Sequence, residues 1–304
     1  RDLHSFPTRR SSDLVVFDKN GDGELSVAEA RLVKSLKGVF SQIGDFGKST
    51  TYKSFDEFAY FNSVDTIDSR LFFYWANMTS ITIPEGVEVI GSQAFSYCRN
   101  LSEIILPSTL TTLGECPFFG CNLLEEMTIP ESVVNFGTSI FQAWSGLRSI
   151  KGKNATEDGR CLIVNGVLNS FAHVGLTEYT FPDEVTTIGM SALRNNGFSG
   201  RLSIGKNVTR IENDAFAYMG SDKTLELNDK LEYIGVDAFR YCGADYIVIP
   251  ASIVEIEDGA LYSEFSYIQF NGSVPPKVSV VAFLILWMKD ETSRFVRLAL
   301  GLII

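Results

Sequence analysis

Residues 18–29 read DKNGDGELSVAE, and the oxygens in this run are spaced for a hard divalent cation. Asp18, Asn20 and Asp22 alternate along the chain, so a tight loop would turn all three side chains toward one centre. Gly23 falls at the sharpest point of that loop. Glu24 offers its backbone carbonyl, Ser26 can act through water, and Glu29 can close the site with both carboxylate oxygens. The expected ligand set for calcium is therefore Asp18, Asn20, Asp22, Glu24, Ser26 and Glu29.

Elements are needed to hold such a loop. On its C-terminal side Ala28, Leu32, Leu36 and Val39 recur at helical spacing, with Arg31, Lys34 and Lys37 opposite, which predicts an amphipathic exit helix. Ser54 and Glu57 then read as a capping box for a short helix carrying Phe55, Phe58 and Phe61, placed to cover the end of whatever follows. On the N-terminal side no entering helix is legible. The opening RDLHSFPTRRSSDL matches, residue for residue, the translation of a common sequencing-adapter DNA. Residues 1–13 are therefore read as an artefact and set aside, with the true start expected upstream. The loop resembles EF-hand and dockerin-like sequences, but it lacks the second loop a dockerin carries. The segment 14–50 is read as this loop and its exit helix.

The rest of the chain offers little catalytic chemistry. Of two histidines, only His173 lies outside residues 1–13. No nucleophile–base pair, phosphate loop or Cys-x-x-Cys pair appears, so the expectation is that the chain is not an enzyme. A formal charge of −11 argues against nucleic acid and against an anionic membrane surface. No apolar run long enough to span a bilayer occurs in the repeat region.

The dominant signal is a repeat. ITIPEGVEVIGSQAFSYC, from Ile81, returns from Ile104, Met127, Tyr179, Leu202, Leu225 and Ile247. Phe72, Phe95, Phe118 and Phe141 are each 23 residues apart, and Leu193, Phe216 and Phe239 continue at 23. Leu261 and Phe283 follow at 22. A second column holds Ile67, Ile90, Leu113, Phe136, Ile188, Ile211, Ile234 and Ile256. One coil this short cannot offset its own chain entropy, so stacked neighbours must supply the burial. The fold class expected is a β-rich solenoid, a leucine-rich-repeat array of ~23-residue coils with a small helical N-terminal segment. The array is placed at 51–283. An insert interrupts it at about 147–175, with a hairpin turning at Asn165-Gly166 that either joins the solenoid edge or projects from it. Residues 284–304 leave the pattern and are read as a distorted cap, a frameshifted end or a short amphipathic segment. Cys98, Cys121 and Cys242 share one phase and are expected as small buried ladder residues, with Cys98 and Cys121 within possible disulfide reach.

The motif ITIPEGVEVIGSQAFSYC resembles the BspA-type leucine-rich repeat of bacterial surface proteins, over residues 63–283. The resemblance implies an extracellular or cell-surface protein that adheres to a protein or cell-surface glycan. On that basis a rigid solenoid would present outward strand residues to its partner. The candidates are Arg201, Glu226, Tyr246, Val248, Tyr267 and Gln269, because exposed tyrosines on a rigid face make strong contacts. Equally, these are ordinary solvated strand residues, and the array then serves as a spacer or stalk in a larger secreted protein.

Overall fold

The computed structural model describes residues 17–19, 25–37, 53–143, 145–220 and 223–279. The chain divides into two compact units, Arg1–Ala155 and Thr156–Ile304. The expected β-solenoid is what each of them builds.

In the first unit the helical segment is shorter than the spacing predicted. Helix α1 spans only Val27–Ala30. The chain turns at Arg31 and Leu32, so the helical period does not continue, and Leu32 is 68% exposed. Leu36 is buried as the stripe requires, but Leu25, Ala30 and Val33 are buried with it. The second predicted cap also differs. Asp56–Tyr60 forms a 3-10 helix with Phe55 at its N-cap and no side-chain cap. What holds this turn is aromatic packing. Phe55 and Phe58 stack at 5.2 Å, and Phe58 meets Phe72 edge-on at 5.8 Å.

The coils of this unit then follow: β1 (Thr66–Ile67), β2 (Ser80–Thr82), β3 (Val89–Ile90), β4 (Glu103–Ile105), β5 (Thr112–Leu113), β6 (Glu126–Ile129), β7 (Asn135–Phe136) and β8 (Ser149–Gly152). Strands β1, β3, β5 and β7 form one parallel ladder, β2 pairs with β4, and β6 with β8. The register places Ile67 on Ile90, Ile90 on Leu113 and Leu113 on Phe136, which is the second sequence column. The phenylalanine column forms a continuous stack. Ring centroids are 5.0, 5.8 and 6.1 Å apart from Phe72 through Phe95 and Phe118 to Phe141. Strand β8 shows that the repeat runs into the expected insert, because Leu147 and Ile150 are buried in the same phase.

The second unit opens on an antiparallel hairpin, β9 (Cys161–Val164) and β10 (Val167–Phe171). Asn165 and Gly166 both adopt left-handed conformations, at φ 53° and 80°, as a tight two-residue turn requires. Its coils add β11 (Glu178–Thr180), β12 (Thr187–Ile188), β13 (Gly200–Ser203), β14 (Arg210–Ile211), β15 (Lys223–Glu226), β16 (Tyr233–Ile234), β17 (Tyr246–Ile249), β18 (Glu255–Ile256), β19 (Tyr267–Phe270) and β20 (Lys277–Val278). The hairpin lies in the ladder: β10 pairs in parallel with β12, and the sheet order runs β20-β18-β16-β14-β12-β10-β9. Strands β11, β13 and β15 form a second sheet, and β17 pairs with β19.

After each second strand comes a turn segment with a third set of bonds between coils. Asp214, Phe216 and Tyr218 donate their N–H groups to Val236, Ala238 and Arg240. Alternate donation of this kind needs residues of opposite hand, and Asp214 and Tyr218 stand at φ 58° and 56°. The pattern recurs at Gln93 and Tyr97, and at Asp237 and Tyr241. Coils approach closely just before this segment. A Cβ on Gly114 would lie 2.5 Å from the Ser92 nitrogen of the preceding coil.

Candidate functional site

Strand alternation in the second unit puts one side chain into the core and the next outward. Leu202, Leu225 and Ile247 are buried, while Arg201 and Tyr246 are exposed. Parallel register then stacks outward residues from coil to coil. Arg201 aligns with Thr224, and Ser203 with Glu226. Tyr246 aligns with Tyr267, and Val248 with Gln269. The bridge between Lys223 and Ala244 brings β15 alongside β17. The six residues proposed from sequence thus occupy outward positions of β13, β15, β17 and β19 in the second unit.

Among them two local groups form. The Arg201 guanidinium meets Glu226 Oε1 at 2.6 Å through Nη2 and at 2.7 Å through Nε. That hydrogen bond, and then the carboxylate charge, holds the guanidinium above its ordinary pKa. Tyr246 and Tyr267 are 42% and 46% exposed, which leaves both rings open to a partner. The Tyr267 hydroxyl donates to Gln269 Oε1 at 3.0 Å, and Gln269 Nε2 donates to Asn271 Oδ1 at 2.6 Å.

A second surface was missed by the strand-based reading. It lies on the turn segments, two residues after the core phenylalanines. Tyr218 and Tyr241 pack at 5.5 Å, and Tyr241 meets Tyr262 at 5.2 Å. The Arg194 guanidinium lies over Tyr218 at 5.0 Å and pairs with Asp214. Arg240 lies 5.7 Å from the Tyr241 ring and 5.2 Å from Tyr262, and pairs with Asp237 at 3.0 Å. The first unit has its own version, with Tyr74 stacked on Tyr97 at 4.6 Å and Tyr97 against Phe119 at 5.0 Å. The signal was available. Tyr74, Tyr97, Tyr218 and Tyr241 each stand two residues beyond Phe72, Phe95, Phe216 and Phe239.

Of the calcium loop, Asn20, Asp22 and Glu24 lie outside the described residues. Ser26 and Glu29 form a capping box, in which Glu29 N donates to Ser26 Oγ, and Ser26 N and Oγ donate back to Glu29 Oε2. Glu29 Oε1 also accepts from Lys19 N at 2.7 Å, which draws the two ends of the loop together. Three protein donors therefore share the two carboxylate oxygens of Glu29. Among the described residues no group of three His, Cys, Asp or Glu side chains could hold a metal ion.

His173 and four of the five cysteines are buried, and Cys116 is half-buried. His173 is 8% exposed, and its Nδ1 makes no hydrogen bond. Burial, and next the Arg160 charge, lower its pKa to about 4. The cysteines are free thiols. Cys98 and Cys121 each donate to a backbone carbonyl, of Phe72 at 3.1 Å and Phe95 at 3.2 Å. Burial pushes Cys121 up to about 12, so it stays a protonated, poor nucleophile. No helix among the described residues is long and apolar enough to cross a membrane.

Short parallel strands stacked at a period near 23 residues define a leucine-rich-repeat β-solenoid. The chain belongs to the BspA-type leucine-rich-repeat family: the profile described as "BspA type Leucine rich repeat region (6 copies)" matches residues 50–160 and 167–271. Several solved structures are similar, among them two bacterial proteins. The pneumococcal vaccine antigen PcpA has a TM-score of 0.53 at 20% identity, over 73% of this chain and 62% of that one. A leucine rich cell surface protein from Faecalibacterium prausnitzii A2-165 has a TM-score of 0.53 at 22% identity, over 69% of this chain and 64% of that one. These likenesses show the fold, and this chain spans less than two thirds of either relative's length. No curated protein matches it.

Proposed function

We propose that this chain is a non-catalytic binding module of a bacterial surface or secreted protein, and that its second unit engages a protein or a cell-surface glycan. Tyr246 and Tyr267 carry the reading: two tyrosines in register on neighbouring strands, both more than two-fifths exposed. Aromatic rings on a rigid backbone lose little entropy on contact, so they anchor interfaces well. Val248 adds apolar area beside them, Gln269 can exchange its intramolecular bonds for a partner's, and the Arg201–Glu226 pair borders the patch. The extracellular setting rests on the family and on the cell-surface relative from Faecalibacterium prausnitzii.

The test is capture by immobilised extracellular-matrix proteins and by a glycan array. A Tyr246→Ala/Tyr267→Ala double variant should lose roughly 30-fold or more in affinity for whatever the unaltered chain captures, since anchors of this kind are worth about 2 kcal/mol or more. Its melting temperature should not move. Capture that survives the double substitution would sink this site. One feature favours the spacer reading: outward charges pair along the ladder itself, as in Arg201 with Glu226 and Lys151 with Glu126. A spacer predicts no capture on any surface.

We also propose that residues 18–29 bind calcium. The oxygen spacing of residues 18–29 supports this, as does the contact of Glu29 with Lys19, which brings residues 19 and 29 together. Terbium luminescence should rise with saturation and be displaced by calcium, and Asp22→Ala should abolish it. A luminescence signal unaffected by Asp22→Ala would remove calcium from the loop.

A further inference from the structure

Tyr241 and Tyr262 sit on consecutive turn segments of the second unit, 21 residues apart, and Tyr241 Oη donates to Tyr262 Oη at 3.4 Å. Their rings approach edge to face, with centroids 5.2 Å apart and planes at 79°. In a phenol the ortho carbon is bonded to the carbon that bears the hydroxyl. Hydroxyls in contact therefore bring the ortho edges of the two rings together. The backbone keeps them there, since Tyr241 N–H donates to the Tyr262 carbonyl at 2.9 Å. Arg240, anchored by Asp237, packs against both rings. Tyr241 is 39% exposed, so an oxidant can reach the pair.

We propose that Tyr241 and Tyr262 form an oxidative modification site that couples into an intramolecular dityrosine, covalently joining two neighbouring coils. The co-reactant is hydrogen peroxide, used by a haem peroxidase as the one-electron oxidant. Each phenol gives up one electron and its hydroxyl proton. The two phenoxyl radicals combine at their ortho carbons, forming one carbon–carbon bond. The two ortho C–H bonds then break as their protons move to the phenol oxygens, which restores both aromatic rings. In sum, two tyrosines and one peroxide give one dityrosine and two waters. The tyrosines are oxidised by two electrons and the peroxide is reduced by two. Tyr74 and Tyr97 provide an internal contrast in ring geometry, because they stack face to face with planes at 25° rather than edge to face.

The experiment treats the dilute full chain with a haem peroxidase and limiting hydrogen peroxide. Expected are a monomer lighter by two hydrogen atoms, the blue fluorescence of dityrosine, and a cross-linked peptide joining Tyr241 to Tyr262. Tyr262→Phe and Tyr241→Phe keep the rings but remove one phenol each, and either should abolish all three signals while circular dichroism stays unchanged. Tyr74→Phe should leave the signals intact. A link mapped to Tyr74–Tyr97 or Tyr218–Tyr241, fluorescence that survives Tyr262→Phe, cross-links between chains only, or no dityrosine at all would each overturn the proposal.

Discussion

The two units reach one architecture with different cores. In the first, four phenylalanines stack without interruption from Phe72 to Phe141. In the second, the same column reads Leu193, Phe216, Phe239 and Leu261, with one stacked pair at 5.1 Å. Their first coils also differ. A 3-10 turn carrying three buried phenylalanines packs on Phe72 in the first unit, whereas the β9–β10 hairpin extends the ladder in the second. The shared feature is the period, which keeps a large apolar side chain at one height in every coil. What matters for stacking is that volume recurs in register. Whether it is aromatic or aliphatic adjusts the strength of the contact, since solenoid stability comes from neighbouring interfaces.

Core truncation tests this most severely. Phe118→Ala, in the middle of the aromatic stack, should cost about 3–5 kcal/mol, and Leu193→Ala about 2–5 kcal/mol. Hydrogen exchange should show the first loss in the first unit's ladder and the second in the other's. A Phe118→Ala chain that melts like the unaltered one would break the stacking account.

Acid should separate the units next. His173 has a folded pKa of about 4 against an ordinary 6.5. Above pH 6.5 it is neutral in both folded and unfolded chains, and its contribution is complete. Between 6.5 and 4 the unfolded chain binds the extra proton, so stability falls with pH, by at most roughly 3 kcal/mol, and levels off below 4. The described part of the first unit contains no histidine. Acid unfolding should therefore begin in the second unit, and His173→Gln should flatten the pH slope of its melting curve across this window. An unchanged slope would refute this assignment.

A smaller effect probes the close approach of coils. Gly114→Ala forces a methyl against the Ser92 backbone and should cost about 1–3 kcal/mol, as overpacking does. Gly220 has nothing within 4 Å of its added Cβ, but its φ of 95° strains any other residue. Gly220→Ala should thus be destabilising through backbone strain alone, by about 1–2 kcal/mol. Equal, negligible costs in thermal melts would show that neither close packing nor backbone hand limits these turns. The smallest change expected is Arg201→Ala, which removes an exposed ion pair worth about 0–1 kcal/mol and should leave the urea midpoint nearly unmoved.

Much of this was readable before any coordinates. The columns Ile67–Ile90–Leu113–Phe136 and Phe72–Phe95–Phe118–Phe141 became a ladder and a ring stack, because a parallel solenoid puts equivalent residues of successive coils side by side. The helical N-terminal segment was less legible. Ala28, Leu32 and Leu36 fit a helical stripe, but the chain leaves α1 after Ala30, and of the three only Leu36 is buried, with Ala30 and Val33 beside it. Four residues hold too few backbone bonds to enforce a helical period against packing. Ser54 and Glu57 fit a capping box, yet the turn begins at Asp56, because three phenylalanines settle its position.

By itself the sequence determined the period, which side chains face inward and the turn at Asn165-Gly166. Those properties follow from local conformation and recurrence. Tertiary structure alone decided where the hairpin attaches, that Arg201 pairs with Glu226, and that Tyr241 touches Tyr262. These depend on how one coil settles on the next, and residues more than twenty positions apart meet only once the ladder has closed.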